Sequence, residues 1–245
     1  MRKTLRAGLL AGLLGLSAFA QAANTDPIVL VHGFAGWGRD ELYGLYLHWG
    51  GTTDLQEELK KLGYDTVTAA SGPTSSTWDR AVETYAVING GCVDYGAAHA
   101  AKHGHARFGR CYAGERQHFA RGTQWDDQHK VHLVAHSQGA QVTKMLTHLL
   151  EEGSQEERAA SPNDVSPLFQ GGKHWIRSVT TVSGAINGTT FGKLTGFNVL
   201  AKELLKGVAA FFGSSGAPED LPYDFKLDQW GLKKQAGETN KHYWD

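Results

Sequence analysis

The stretch that decides the reading is Lys130-Val131-His132-Leu133-Val134-Ala135-His136-Ser137-Gln138-Gly139. Its first six residues are the short apolar, β-branched run that forms a buried strand. From Gln138 to Glu151 apolar residues recur at helical spacing, so Ser137 stands on a strand-to-helix turn. A turn this tight crowds the positions two before and two after the serine, which must be small, and Ala135 and Gly139 satisfy that. The arrangement lifts a hydroxyl out of the sheet and sets it at the positive end of a helix, where a developing oxyanion is favoured. The bland alternative is a serine that only caps a helix; the flanking strand and helix favour a nucleophile.

Working outward, Pro27-Ile28-Val29-Leu30-Val31 is a second buried strand, running into the loop His32-Gly33-Phe34-Ala35-Gly36. Residues 54–63 read as a helix with a terminal glycine as its stop, 66–69 as a strand and 76–88 as a helix. Trp175 to Val182 is the next strand, ending at a Ser183-Gly184 turn. This alternation predicts an α/β chain, a mostly parallel sheet flanked by helices. A small-x-Ser-x-small elbow in that setting is the mark of the α/β-hydrolase fold, in which a loop after an earlier strand supplies one oxyanion donor and the residue after the nucleophile the other. Phe34 N–H and Gln138 N–H take those roles, unless His32-Gly33-Phe34 is only a glycine turn. Residues 89–129 are rich in Gly, His and aromatics without a clear period, and read as an insertion held by something other than core packing.

The 245 residues, 41% hydrophobic and 20% charged, suit one globular domain. With 24 Lys and Arg against 25 Asp and Glu there is no basic excess, so nucleic acid is not an expected partner. Residues 1–22 read as a signal peptide: Arg2, Lys3 and Arg6, an apolar run from Ala7 to Ala20, then Ala20-Gln21-Ala22 as the cleavage pattern. The run of 14 falls short of the roughly 20 residues a membrane span needs, so a stable anchor is not expected. The expected destination is secretion, to the periplasm or medium. In that compartment Cys92 and Cys111 either form a disulfide or remain two buried thiols.

Several long strings are similar to those of the bacterial true lipases of the thermoalkalophilic Bacillus/Geobacillus type, relatives of the staphylococcal lipases. They are Pro27 to Phe34, Gly36-Trp37-Gly38-Arg39, Trp49-Gly50-Gly51, Val93 to His105, Ala135 to Gly139, Gly153 to Arg158 and Asp224 to Gly231. The resemblance covers essentially the whole of residues 23–245, and an elbow whose first small residue is alanine marks that group. It implies an α/β-hydrolase domain with a zinc-binding insertion (about 76–129), a helical lid (about 190–215) and a missing C-terminal part.

His99, His103 and His105 lie close together, with Asp79 upstream, so three or four N and O ligands converge on one cation unless this is only a His-rich surface loop. The resemblance implies a structural zinc held by Asp79, His99 and His105, with His103 a neighbour. The family's fourth ligand, an aspartate, lies beyond the last residue of this chain, so weaker zinc binding is expected. The resemblance also admits calcium, at a site outside this chain. Phe191, Leu194, Phe197, Leu200, Leu204, Leu205, Val208, Phe211 and Phe212 form an apolar helical face that matches the lid or, alternatively, packs permanently on the core. Ala185-Ile186 replace a Pro-His pair usual in the family.

A serine hydrolase also needs an acid and a histidine base, in the order Ser, Asp or Glu, His. The resemblance places both beyond Asp245. Within the chain His148, His174 and His242 follow Ser137, and only His242, with Asp220, Asp224 or Asp228, has the right order. The expected function is an exported carboxylester hydrolase of the triacylglycerol lipase type, a monomer acting on lipid esters at an oil-water interface. The alternatives are an inactive, truncated lipase-like protein that binds lipid or zinc, and a short-chain esterase or polyester depolymerase.

Overall fold

A computed structural model describes residues 25–188 and 223–232. The expected signal peptide, the lid stretch 190–215, Asp220 and His242 lie outside the described residues. The strands are β1 (Ile28–Val31), β2 (Thr66–Ala69), β3 (Gly91–Asp94), β4 (Phe108–Tyr112), β5 (Val131–His136) and β6 (Ile176–Val182). β1, β2, β5 and β6 form one parallel sheet in the order β2-β1-β5-β6, as the alternation predicts. β3 and β4 pair separately as an antiparallel hairpin.

Register explains which residues are buried. Val29 lies opposite Val67 and Leu133, and Val31 opposite Ala69 and Ala135, so these six share one sheet face. All six belong to the core. Against them pack α2 (Thr77–Asn89), through Ala81, Val82, Tyr85 and Ile88, and α4 (Gly139–Glu151), through Val142, Leu146, Leu149 and Leu150. The α4 residues follow the four-and-three spacing of an amphipathic helix, and each fully buried leucine there contributes about 2 kcal/mol. The remaining helices are α1 (Leu55–Lys61), α3 (Ala97–His103), α5 (Gln155–Ala160) and α6 (Pro167–Gln170). Asp54, Ser76 and Ser154 cap α1, α2 and α5 by accepting from the backbone N–H three residues on.

The segment 89–129 departs from its reading. It carries the hairpin and α3, and its Val93, Tyr95, Phe119 and Trp125 belong to the same core as the sheet. Those anchors come one at a time from strands and turns, so they leave no period to read. Cys92 and Cys111 lie opposite each other in the hairpin and form a disulfide, the first of the two alternatives. No helix among the described residues is long and apolar enough to cross a membrane.

Candidate active site

β5 delivers Ser137 and α4 carries the chain away from it. Ser137 sits at φ +53°, the left-handed region that L-residues seldom occupy, at a strain of roughly 1–3 kcal/mol. Its N–H donates to the Val182 carbonyl (3.0 Å), and its carbonyl accepts from Ala140 N–H (3.1 Å). A Cβ on Gly139 would stand 2.7 Å from the His32 carbonyl oxygen, and one on Gly33 would stand 2.9 Å from Ser137 Cβ. The small residues are therefore required because the loop after β1 lies directly on the elbow.

That loop leaves its donor free. Ala35 N–H is committed to Pro73 O (2.9 Å) and Gly36 N–H to Gly33 O (3.2 Å), whereas neither Phe34 N–H nor Gln138 N–H reaches an acceptor among the described residues. Two uncommitted amides thus flank a strained serine whose own hydroxyl has no hydrogen-bond partner there. Behind the loop lies Arg80, fully buried on α2. It donates to Gln138 Oε1 (2.7 Å), His32 O (2.8 Å) and Gly33 O (3.1 Å). Nothing in the sequence reading pointed to Arg80; the available signal was a cluster of charges, Asp79, Arg80 and Glu83, on a helix otherwise packed into the core.

Three imidazoles surround the elbow, and two of them are held uncharged. Burial and the nearby Arg80 hold His32 down at about 3, and burial and His136 hold His48 down at about 4. The rings of His32 and His48 lie 5.6 Å apart, and those of His48 and His136 5.2 Å. None reaches Ser137 Oγ. His148 lies near the far end of α4, and His174 faces Glu151 at 3.8 Å. Asp224 and Asp228 are both engaged by Arg110. Burial alone would raise the Asp224 carboxyl, but Arg110 outweighs it and the net shift is downward. Neither aspartate is thus free to orient a histidine.

A second cluster is built on Asp79, the neighbour of Arg80 in the first turn of α2. Ligand atoms of Asp79, His99 and His105 all lie within 4.8 Å of one another. A tetrahedral zinc site with bonds near 2.1 Å separates its ligands by about 3.4 Å, so small side-chain shifts suffice. His99 Nε2 is 2.9 Å from Asp79 Oδ1. His105 Nδ1 faces the Ala106 carbonyl (2.9 Å), which directs Nε2 inward, where it is buried without a partner. An orphaned buried nitrogen between a carboxylate and a second imidazole is the donor set zinc uses. The His103 ring lies 4.4 Å from that of His99, tilted by 46°, and is not one of the three converging groups. Two supporting residues escaped the sequence reading, although both lie in strings quoted above. Glu157, buried, accepts from Ala98 N–H (2.9 Å) and His99 N–H (2.8 Å), fixing the start of α3. Gln229 Nε2 reaches Asp79 Oδ2 (3.4 Å).

The whole described arrangement has relatives. A lipase of Staphylococcus epidermidis is 39% identical over 229 residues, covering 91% of this chain and 32% of the relative. Lipase 1 of Staphylococcus aureus is 40% identical with the same coverage. Among solved structures, EstA from Clostridium botulinum superposes with a TM-score of 0.77 at 49% identity, over 90% of this chain and 50% of that one. Lipase 1 from Pelosinus fermentans gives 0.74 at 48% identity over 90% and 57%, and the lipase of Staphylococcus hyicus 0.69 at 35% over 90% and 56%. The chain spans about a third of the length of the curated relatives it matches and about half that of the solved ones. The family model described as "Lipase-like, C-terminal domain" matches residues 24–245, and with a strained serine between two open amides the chain belongs to that lipase-like family.

Proposed function

We propose that this chain carries the nucleophile and oxyanion donors of an exported serine carboxylester hydrolase of the triacylglycerol lipase type. The observation that carries the reading is Ser137 at φ +53° between two uncommitted amides. Ser137 Oγ attacks the ester carbonyl, and the carbonyl oxygen, negative in the tetrahedral intermediate, is received by Phe34 N–H and Gln138 N–H. Expulsion of the alcohol leaves an acyl-enzyme on Ser137, which water hydrolyses. Each donor is worth about 3–4 kcal/mol in such an intermediate. The histidine base and its acid come from outside the described residues. Export rests on residues 1–22, and the lipid ester substrate on the names of the relatives.

Asp79, His99 and His105 hold zinc in this reading, and the metal cross-links α2 to the α3 segment rather than entering the reaction. Hydrolysis of a p-nitrophenyl ester by the full chain, against Ser137→Ala, tests the catalytic part. Turnover lost in the variant supports it; equal turnover, or none in either protein, leaves a lipid- or zinc-binding relative as the better account. Metal analysis after dialysis tests the zinc part, and a metal-free protein would refute it.

A further inference from the structure

Among the described residues, Arg80 is the fully buried guanidinium that bonds both Gln138 and the Gly33 carbonyl, the oxygen of the peptide that carries the Phe34 N–H. Its side chain has no exposure, and its bonded partners among the described residues are uncharged: Gln138 Oε1, the carbonyls of His32 and Gly33, and His32 Nδ1 at 3.2 Å. His32 places Nε2 at the Ser71 carbonyl (3.0 Å) and Nδ1 at the Gly33 carbonyl (2.9 Å), so the imidazole shares the latter oxygen with Arg80. Arg80 Nε is itself buried without a partner. Glu83, one turn on in α2, offsets part of its charge, but no carboxylate among the described residues bonds it directly, and burying a cation so is costly for stability.

Peptide geometry supplies a reason for its placement. In a trans peptide the C=O and the following N–H point in opposite directions. Arg80 Nη2 takes the Gly33 carbonyl at 3.1 Å, on the side of α2, so the N–H of the same peptide, that of Phe34, is turned the other way. Gly33 lies against Ser137, close enough that a Cβ would collide with the serine, so the Phe34 amide emerges beside the nucleophile. The other arm of the fork, Nη1, holds the Gln138 side chain at 2.7 Å, and Gln138 is the residue whose N–H is the second donor. The planar fork spans both residues at once; a lysine ammonium on its single stem does not.

We infer that Arg80 is a positioning residue that, together with the Gly36 N–H on the Gly33 carbonyl, sets the direction of the Phe34 donor and tethers the side chain of Gln138, the residue that carries the other. The inference rests on the serine-hydrolase reading for its consequence, but the orientation it claims is a property of the fold alone. The charge also persists: burial lowers Arg80 to about 10, still well above neutrality.

The test uses the full chain with Arg80→Lys, Arg80→Gln and Gln138→Leu, the last removing one acceptor while keeping the backbone N–H. Two readouts are taken: the rate of Ser137 phosphonylation by a fluorophosphonate, and the orientation of the 33–34 peptide in a crystal structure of each protein. Arg80→Gln is expected to slow phosphonylation about 100-fold and to rotate the 33–34 peptide. Arg80→Lys recovers only part of the rate, and Gln138→Leu loses about tenfold. Rates within twofold of the parent with an unmoved peptide overturn the inference. A parent chain that does not react refutes the serine reading instead, and the peptide orientation then decides the role of Arg80 alone. If Arg80→Gln does not fold, Arg80→Lys and Gln138→Leu decide it by the same criteria.

Discussion

Ser137 and Cys92 sit in parts of the molecule that are held by opposite means. Around Ser137 the contacts among the described residues are close and include no ion pair: a serine at φ +53°, glycines with no room for a Cβ, the neutral rings of His32 and His48, and one guanidinium bonded to carbonyls. Around Cys92 they are covalent and ionic. The disulfide ties β3 to β4, Arg107 pairs with Asp94 at 2.8 Å, and Arg110 binds Asp224 and Asp228. The difference teaches how one chain divides its tasks. The elbow keeps two donors and a hydroxyl unsatisfied, which suits chemistry and lowers stability, while the hairpin region pairs its charges, carries the cross-link and supplies stability.

The largest expected effect breaks the stapled side. Cys92→Ser opens a cross-link across 19 residues, and urea unfolding is expected to show a loss of about 3 kcal/mol with phosphonylation of Ser137 unchanged. An unchanged midpoint would show that the hairpin does not depend on its bridge. On the other side, Gly33→Ala sets a methyl 2.9 Å from Ser137 Cβ and 3.0 Å from the His136 carbonyl oxygen, and the labelling rate is expected to fall about 100-fold with a stability loss of about 1–3 kcal/mol from the overpacking. Gly104→Ala is the matched control, at φ +74° with nothing within 4 Å: a loss of about 1 kcal/mol and normal labelling. Equal labelling by both variants would remove the distinction between the regions.

Smaller effects sharpen it. Zinc at ~30 times its dissociation constant is expected to stabilise the protein by about 2 kcal/mol, and His105→Ala to abolish that gain in a thermal-shift series. A metal response that survives the substitution points to other ligands. The elbow side should instead be sensitive to acid. His32 and His48 have folded pKa values of about 3 and 4, below the unfolded value near 6.5. Between those limits the unfolded chain binds more protons, so stability is present above pH 6.5 and declines as the pH falls through this window. His48→Phe is expected to flatten the curve by about 1 kcal/mol at pH 5.5, and an unaltered slope would mean that His48 does not stay neutral in the fold.

Much of this was legible in the sequence, and the reason differs by element. β1, β2, β5 and α4 were readable because runs such as Ile28–Val31 and the Val142, Leu146, Leu149 series carry the period of the structure they form. The elbow was readable because its crowding restricts Ala135 and Gly139 to small residues; spacing alone offered Asp79 with three histidines, and the choice of His99 and His105 over His103 came from the family resemblance. Arg80, Glu157 and Gln229 were not readable. Each acts across 58 or more residues of chain, on Gln138, on His99 and on Asp79, and a polar side chain gives no local sign that its partner is distant. The core role of Val93, Tyr95, Phe119 and Trp125 was hidden likewise, because single anchors from turns have no period.

The central claim is that Ser137 is the activated nucleophile of an acyl transfer. Intact-mass and peptide analysis after treatment with a fluorophosphonate tests it most directly. The account predicts one adduct per chain, on Ser137, and none in Ser137→Ala; an unmodified chain, or an adduct that persists in the variant, would contradict it.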